Sequence, residues 1–252
     1  MRLAQLSKAA GVKRFLFSSS CSVYGRAESE ALVTEESSVH PLTAYAISKV
    51  RTEEELARLA DETFTPVYLR NATAYGWSPC FRADLVLNNL ACWAYTTGEI
   101  RILSDGTPWR PLVHVQDIAQ AFLTLLAAPR DRTHNKVLNV GAAGQNYQVS
   151  ELSSFVQQAF PGSRVSYADG GEPDPRSYRV DFSKLADLLP EYRPSWDARS
   201  GLQQLSQAYR EADLTMDEFT GPRYTRLARL KELLDAGQLD DTLRWVAGRG
   251  MG

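Results

Sequence analysis

Residues 13–25 read KRFLFSSSCSVYG. The apolar run Phe15-Leu16-Phe17 predicts a short buried strand over residues 14–17, which runs straight into three serines, a cysteine and a fourth serine. Small hydroxyl side chains are common where a strand ends, because they bond backbone groups that the ladder no longer satisfies. The carboxyl end of a strand is also where an open α/β sheet binds its ligands. The stretch therefore has two readings, a loop and the edge of a site, and the surrounding chain has to decide between them.

Working outward, the chain alternates. A helix over residues 2–10 ends at Gly11 before the strand, and a second helix covers about 43–61. PVYLR (66–70) is another short strand, and 84–97 is helical in pattern, with Leu85, Leu87, Leu90 and Trp93 at helical spacing. Strands over 99–103 and 112–115, a helix over 116–128 and the strand KVLNV (136–140) follow, the last ending at the turn GAAG. Such alternation implies an α/β fold with a mostly parallel sheet covered by helices. After Gly141 the texture changes. Ser150 reads as the N-cap of a helix over 151–160, RVSY (164–167) as a strand, and GGEPDPRS (170–177) as a loop. The last fifty residues read as mainly helical, with Leu227, Leu230 and Leu234 on one face, and GRGMG (248–252) as a frayed tail. No internal repeat or low-complexity tract is present.

With 252 residues the chain can bury a sizeable core in one large domain or two smaller ones. Its 44% hydrophobic and 23% charged residues are ordinary for a globular protein. A net charge of −2 offers no broad attraction for nucleic acid or an anionic membrane. Cys21, Cys80 and Cys92 are odd in number and widely spaced, which suggests a reducing compartment and neither a disulfide framework nor a zinc site. No apolar run approaches the ~18 residues of a membrane span, and the first fifteen residues lack the apolar stretch of a signal peptide. The expected location is the cytoplasm, and no metal is expected.

The segment PLTAYAISK (41–49) carries the chemistry. On a helix, Tyr45 and Lys49 stand four apart and share a face. A free tyrosine titrates at about pH 10, and a neighbouring ammonium stabilises its phenolate. A tyrosine tuned in this way can take a proton from an alcohol or return one to a carbonyl, which is the acid–base half of a hydride transfer to a nicotinamide. Y-x-x-x-K alone is common as a surface contact. Ser20, twenty-five residues upstream at a strand end, sharpens it, because its hydroxyl can hold the substrate oxygen. His114 reads as a core histidine without chemistry, and Asp117 as a cap or hydrogen-bonding group at the start of its helix.

With these residues in place, the sequence resembles the extended short-chain dehydrogenase/reductases acting on nucleotide sugars, the NAD-dependent epimerase/dehydratases of the UDP-galactose 4-epimerase type. KRFLFSSSCSVYG looks like the family's serine-bearing strand, which maps the catalytic hydroxyl to Ser20, and PLTAYAISK looks like its Y-x-x-x-K. LRNATAYG (69–76) resembles the segment beside the nicotinamide, and VLNNL (86–90) the nucleotide-contacting N-N-L. DGTPWRPLVHVQDIAQAF (105–122) is similar to the stretch whose arginine, here Arg110, binds the substrate diphosphate. LNVG (138–141) and PDPRSYRVDFSK (173–184) fit later substrate-domain segments.

The resemblance implies Ser20, Tyr45 and Lys49 as catalytic residues. It places Ser18, Ser19, Tyr45, Lys49, Asn71 and Ala72 at NAD, with NADP left open. It places Ser20, Cys21, Ser22, Thr73, Asn88, Asn89, Leu90, Arg110 and Arg176 at a nucleotide-sugar substrate. Residues 1–80, with 99–140 contributing, would be the second half of a dinucleotide-binding Rossmann domain, and 81–252 mainly the substrate-binding region and C-terminal helices. Family members pair through the Y-x-x-x-K helix and the helix before the serine strand, so a homodimer is expected.

Departures refine the expectation. Where water-eliminating members carry an Asp-Glu pair after the catalytic hydroxyl, this chain has Cys21 and Ser22. Dehydration is therefore disfavoured against epimerisation or ketone reduction. Thr73 and Trp77 replace the usual Asn and Pro around A-Y-G, and Gly171 stands where an arginine is usual. The strand–GxxGxxG–helix that should open the fold is absent, along with roughly three βαβ-type units of about 30 residues each. That leaves three readings: a fragment of a complete epimerase, which is favoured, one chain of a split enzyme, or a catalytically silent sugar-nucleotide-binding protein.

Overall fold

The computed structural model describes residues 1–26, 31–168 and 176–246. Gly171, most of the loop expected over 170–177 and the tail 248–252 lie outside these residues.

Helix α1 (Arg2–Ala9) ends at Gly11, whose φ of +79° is one that glycine adopts without strain. Strand β1 (Arg14–Ser20) follows, then a 3₁₀ turn (Cys21–Tyr24), helix α2 (Ala44–Leu59) and strand β2 (Thr65–Asn71). Next come β3 (Thr73–Tyr75), α3 (Val86–Thr97), β4 (Glu99–Ile102), β5 (Trp109–His114), α4 (Val115–Ala127) and the single turn α5 (Arg130–Thr133). The remainder is β6 (Lys136–Val140), β7 (Asn146–Gln148), α6 (Val149–Ala159), β8 (Arg164–Tyr167), α7 (Ser183–Leu188), α8 (Ala198–Glu211), α9 (Met216–Thr220) and α10 (Arg226–Asp235).

Three strands, in the order β1–β2–β6, form the parallel sheet that the alternation implies. Every residue of β2 is buried, as a central parallel strand with both faces covered requires. Arg14 ties α4 to this sheet, its guanidinium donating to the carbonyls of Leu125 and Leu126 (both 2.6 Å) and Ala128 (2.7 Å) at the helix's C-terminal end. Two smaller sheets hold the other named strands among the described residues. In one, β3 pairs parallel and β7 antiparallel with β5; in the other, β4 pairs parallel with β8.

Two large apolar cores result. Val67, Leu69, Val113, Leu125, Leu138 and Leu185 belong to the core of the three-stranded sheet. Leu87, Ile100, Leu152, Leu202 and Tyr209 belong to the core built by α3, α6, α8 and β4.

Two local expectations are corrected, and a third, Asp117 as a cap or a hydrogen-bonding group, is narrowed to the second role. The strand does not stop at Phe17: Ser18, Ser19 and Ser20 continue the ladder opposite Leu69, Arg70 and Asn71. Ser150 does not cap α6, because Gln148, held extended by pairing with Trp109, is the last residue before the helix. Asp117 does not cap α4. The cap is His114, whose Nδ1 accepts from the Gln116 N–H (3.2 Å), while the Asp117 carboxylate reaches across to the backbone N–H groups of Ser195 (3.0 Å) and Trp196 (3.2 Å).

Candidate active site

The carboxyl ends of β1 and β2 and the first turns of α2 hold several of the residues singled out from the sequence. Ser20 is the last residue of β1, and its Oγ accepts from the Ser22 N–H (3.1 Å), which leaves the hydroxyl proton available to an outside acceptor. Thr43 caps α2 by accepting from the Ala46 N–H (3.1 Å), so Tyr45 falls in the first turn, where its side chain is 55% exposed. One turn on, Lys49 donates to the Ser18 carbonyl (2.7 Å). Its ammonium lies 5.3 Å from the centre of the Tyr45 ring and 4.9 Å from that of Phe17. Burial lowers the Lys49 pKa, and the Glu53 carboxylate pulls it partly back.

On the neighbouring strand, Asn71 donates to Ser18 Oγ (2.9 Å) and the Ser19 carbonyl (3.4 Å), while its own Oδ1 is buried with no partner. Ala72 is buried, its N–H bonded to the Val140 carbonyl (3.0 Å) as the chain leaves the sheet. This cluster joins a hydroxyl donor, an exposed phenol beside a cation, and an unsatisfied acceptor.

Behind these strand ends lies a buried polar network that the sequence reading misses. Ser19 donates to the Glu53 carboxylate, which also receives Arg70 through Nη2 (2.7 Å) and Nε (3.2 and 3.3 Å). Both members of the Glu53–Arg70 ion pair have side chains only 8% exposed. Arg70 Nη1 donates to the Tyr24 hydroxyl (3.2 Å), which donates to Asn139 Oδ1 (2.7 Å) on β6. Ser19, Arg70 and Asn139 are register partners across the three strands. One signal for this was present. Glu53 falls on the inner stripe of α2 with Ala46 and Leu56, at spacings of seven and three.

The remaining candidates are distributed. Ser22 Oγ is buried without a partner in the turn after Ser20. Cys21, expected to line the site, is fully buried instead. Its thiol donates to the Arg70 carbonyl (3.0 Å) and burial pushes its pKa up, so it supports the strand ends from behind. Asn88 is likewise spent internally, accepting from the Gly76 N–H (3.0 Å) and donating to the Arg82 carbonyl (2.9 Å), and Leu90 is a core residue. Asn89 is half-buried, with its amide on the Ala83 carbonyl (3.0 Å). Thr73, half-buried, opens β3 opposite Leu112.

Arg110 on β5 donates to the carbonyls of Trp109 (2.9 Å) and Arg176. Burial pushes the Tyr178 phenol up, and the cations of Arg110 and Arg176 oppose that shift. Tyr178 packs edge-on against Tyr24, 6.3 Å between ring centres.

His114 is buried, donates from Nε2 to Gln204 Oε1 (2.8 Å) and stacks on Trp196 at 4.1 Å. Its acceptor role at Nδ1 makes Nε2 the protonated nitrogen. Gly76, at φ +104°, approaches this ring so closely that an added Cβ would lie 2.2 Å from Nε2. Among the described residues no group of three or more His, Cys, Asp or Glu could hold a metal ion, and no helix is long and apolar enough to cross a membrane.

The profile of the NAD dependent epimerase/dehydratase family matches residues 1–141. The UDP-glucose 4-epimerase of Bacillus subtilis is 28% identical over 214 residues, covering 77% of this chain and 61% of its own length. Among solved structures, MoeE5 in complex with UDP-glucose and NAD has a TM-score of 0.72 at 28% identity, over 84% of this chain and 70% of that one. The UDP-glucose 4-epimerase of Thermotoga maritima with UDP-glucose gives 0.73 at 25%, over 84% and 68%. The chain spans about three fifths of the length of the curated relatives it matches.

Proposed function

Since the chain belongs to the NAD dependent epimerase/dehydratase family, we propose that it serves as an NAD-dependent epimerase of a nucleotide sugar, working through transient oxidation of a sugar hydroxyl. The observation that supports this reading is the bond of Lys49, one turn after Tyr45 on α2, to the Ser18 carbonyl of the strand that ends at Ser20, with Asn71 opposite Ser20 on the neighbouring strand. Ser20, its Oγ already accepting from the Ser22 N–H, donates its proton to the substrate oxygen. Tyr45, exposed on the first turn of α2, removes the hydroxyl proton and later returns one. Lys49, held on the Ser18 carbonyl, keeps a positive charge beside the ring as negative charge develops.

The residues fit a nicotinamide cofactor: the orphaned Asn71 Oδ1 is the acceptor an amide N–H requires, and Ser18 is exposed beside it. Ser18, Tyr45, Lys49, Asn71 and the backbone around Ser19 and Ala72 would hold it, NADP being the alternative to NAD. When bound, the cofactor accepts a hydride and gives it back.

Ser22, Thr73, Asn89, Arg110 and Arg176 are assigned to the sugar nucleotide. Elimination of water is disfavoured, because Cys21 is a buried thiol and Ser22 a hydroxyl where carboxylates would be needed. The division into a cofactor side (1–80 with 99–140) and a mainly substrate side (81–252), a cytoplasmic location and a homodimer belong to the same proposal.

The test begins by denaturing the purified chain and assaying the supernatant for NAD(H) and nucleotide sugars. Interconversion of UDP-glucose and UDP-galactose with added NAD is then measured for wild type and Tyr45→Phe. The expected result is turnover that drops by orders of magnitude in the variant while UDP-sugar binding persists, because the proton shuttle is lost and little volume changes. A wild type that neither releases nor uses NAD, or a variant that keeps its activity, overturns the reading. Net oxidation of added NADH by a supplied keto nucleotide sugar, without interconversion of the UDP-hexoses, would instead identify a ketoreductase.

A further inference from the structure

The Glu53 carboxylate is placed where it can govern the geometry of the candidate site without touching a ligand. It stands one helical turn after Lys49 and two after Tyr45 on α2, so the three lie on one side of that helix. Its oxygens take Ser19, the residue before Ser20 on β1, and Arg70, the residue before Asn71 on β2. Ser19 and Arg70 are themselves register partners, so one carboxylate bridges the helix to two adjacent strands, immediately before the residues that face the site. Arg70 carries the link through the Tyr24 hydroxyl to Asn139 on the third strand.

We propose that Glu53 is a positioning residue, whose bridge to Ser19 and Arg70 holds Tyr45 and Lys49 of α2 in register with Ser20 and Asn71 at the strand ends. The proposal rests on the reading of Ser20, Tyr45 and Lys49 as the reacting groups. A purely stabilising ion pair can be replaced by apolar side chains of similar volume with little loss, whereas removing one partner leaves the other charge buried and unpaired. Apolar side chains cannot reproduce the directional bonds that set the helix against both strands. Stability and positioning therefore part company in the double variant.

The test compares full-chain wild type, Glu53→Gln and the double variant Glu53→Leu/Arg70→Met. Three quantities are measured: stability in urea, turnover, and the rate at which Lys49 is acetylated by an amine-reactive ester, read by peptide mass spectrometry against the exposed Lys13. The single variant should be less stable, and the double variant should regain stability. In the double variant, turnover should stay on the order of 10-fold to 100-fold below wild type with KM little changed, as expected for a misplaced reacting group. Lys49, released from the Ser18 carbonyl, should acetylate several-fold faster. Because the Glu53 carboxylate also holds the Lys49 pKa up, labelling is followed as a pH–rate profile, in which a faster alkaline plateau reports release of Lys49 and a shifted midpoint reports the lost charge.

Recovery of turnover together with stability, or Lys49 labelling at the wild-type rate in the double variant, overturns the proposal. If wild type shows no turnover, the functional reading has failed, and the labelling still decides the role of Glu53. Should the double variant not fold, Glu53→Asp, which keeps the charge and shortens the reach, is judged by the same labelling criterion.

Discussion

Arg110 shows how a single residue acquires a testable role. Its guanidinium is bonded to the carbonyls of Trp109 and Arg176, and its neighbour Tyr178 meets Tyr24 in the turn that follows Ser20. The cation is thus linked through two packed rings to the strand end that carries the proposed catalytic hydroxyl. Arg110→Ala should weaken UDP binding by about 1.5–3 kcal/mol, the worth of a charge-assisted bond to phosphate. Isothermal titration with UDP checks this, and unchanged affinity removes Arg110 from the site. The Tyr45–Lys49 pair is legible in the sequence because both residues sit on one helix at a fixed spacing. For Glu53 the sequence shows only its place on the inner stripe of α2, inside the run Thr52-Glu53-Glu54-Glu55, and not what it pairs with. Only Arg70, on another element, makes it a core residue.

Among the elements, α8 shows what local sequence can specify. Asp197 and Ser200 form a reciprocal capping box, the Asp197 carboxylate accepting from the Ser200 N–H (2.7 Å). Those bonds to the Ser200 backbone and hydroxyl hold the Asp197 pKa below the ordinary carboxylate range. A carboxyl with a depressed folded-state pKa adds stability above its unfolded value of about 3.9, and that stability is lost as pH falls through the folded value. Asp197→Ala should therefore cost about 1 kcal/mol at neutral pH. The gap to wild type should narrow in urea melts at pH 3, and a gap independent of pH would show that the charge contributes nothing. The same local logic misassigns Ser150, and of the two roles it offers Asp117 only hydrogen bonding is realised. The residue that leaves extended backbone last becomes the cap, and pairing of Gln148 with Trp109 and of His114 with Tyr75 decides which residue that is. Strand partners distant in sequence thus override a good capping residue.

On the scale of the whole molecule, exposed apolar side chains mark a surface consistent with the proposed homodimer. Leu3 is 71% and Leu6 56% exposed on α1, and Ile47 on α2 is 37% exposed. Sedimentation at micromolar concentration should find a dimer, and Leu3→Glu/Leu6→Glu should yield monomers with an unchanged circular dichroism spectrum. A monomeric wild type would dismiss the pairing. The sequence by itself determined the strand–helix alternation, hence a mostly parallel sheet, and the Tyr45–Lys49 spacing on α2. Hydrophobic periodicity and i, i+4 spacing are local properties, readable one segment at a time. Only the tertiary structure decided that the serines belong to the strand, that Cys21 and Asn88 turn inward, and that Glu53, Arg70, Tyr24 and Asn139 form one buried network. Those outcomes depend on which backbone and side-chain groups meet across strands and helices remote in sequence, where each buried polar group must find a partner.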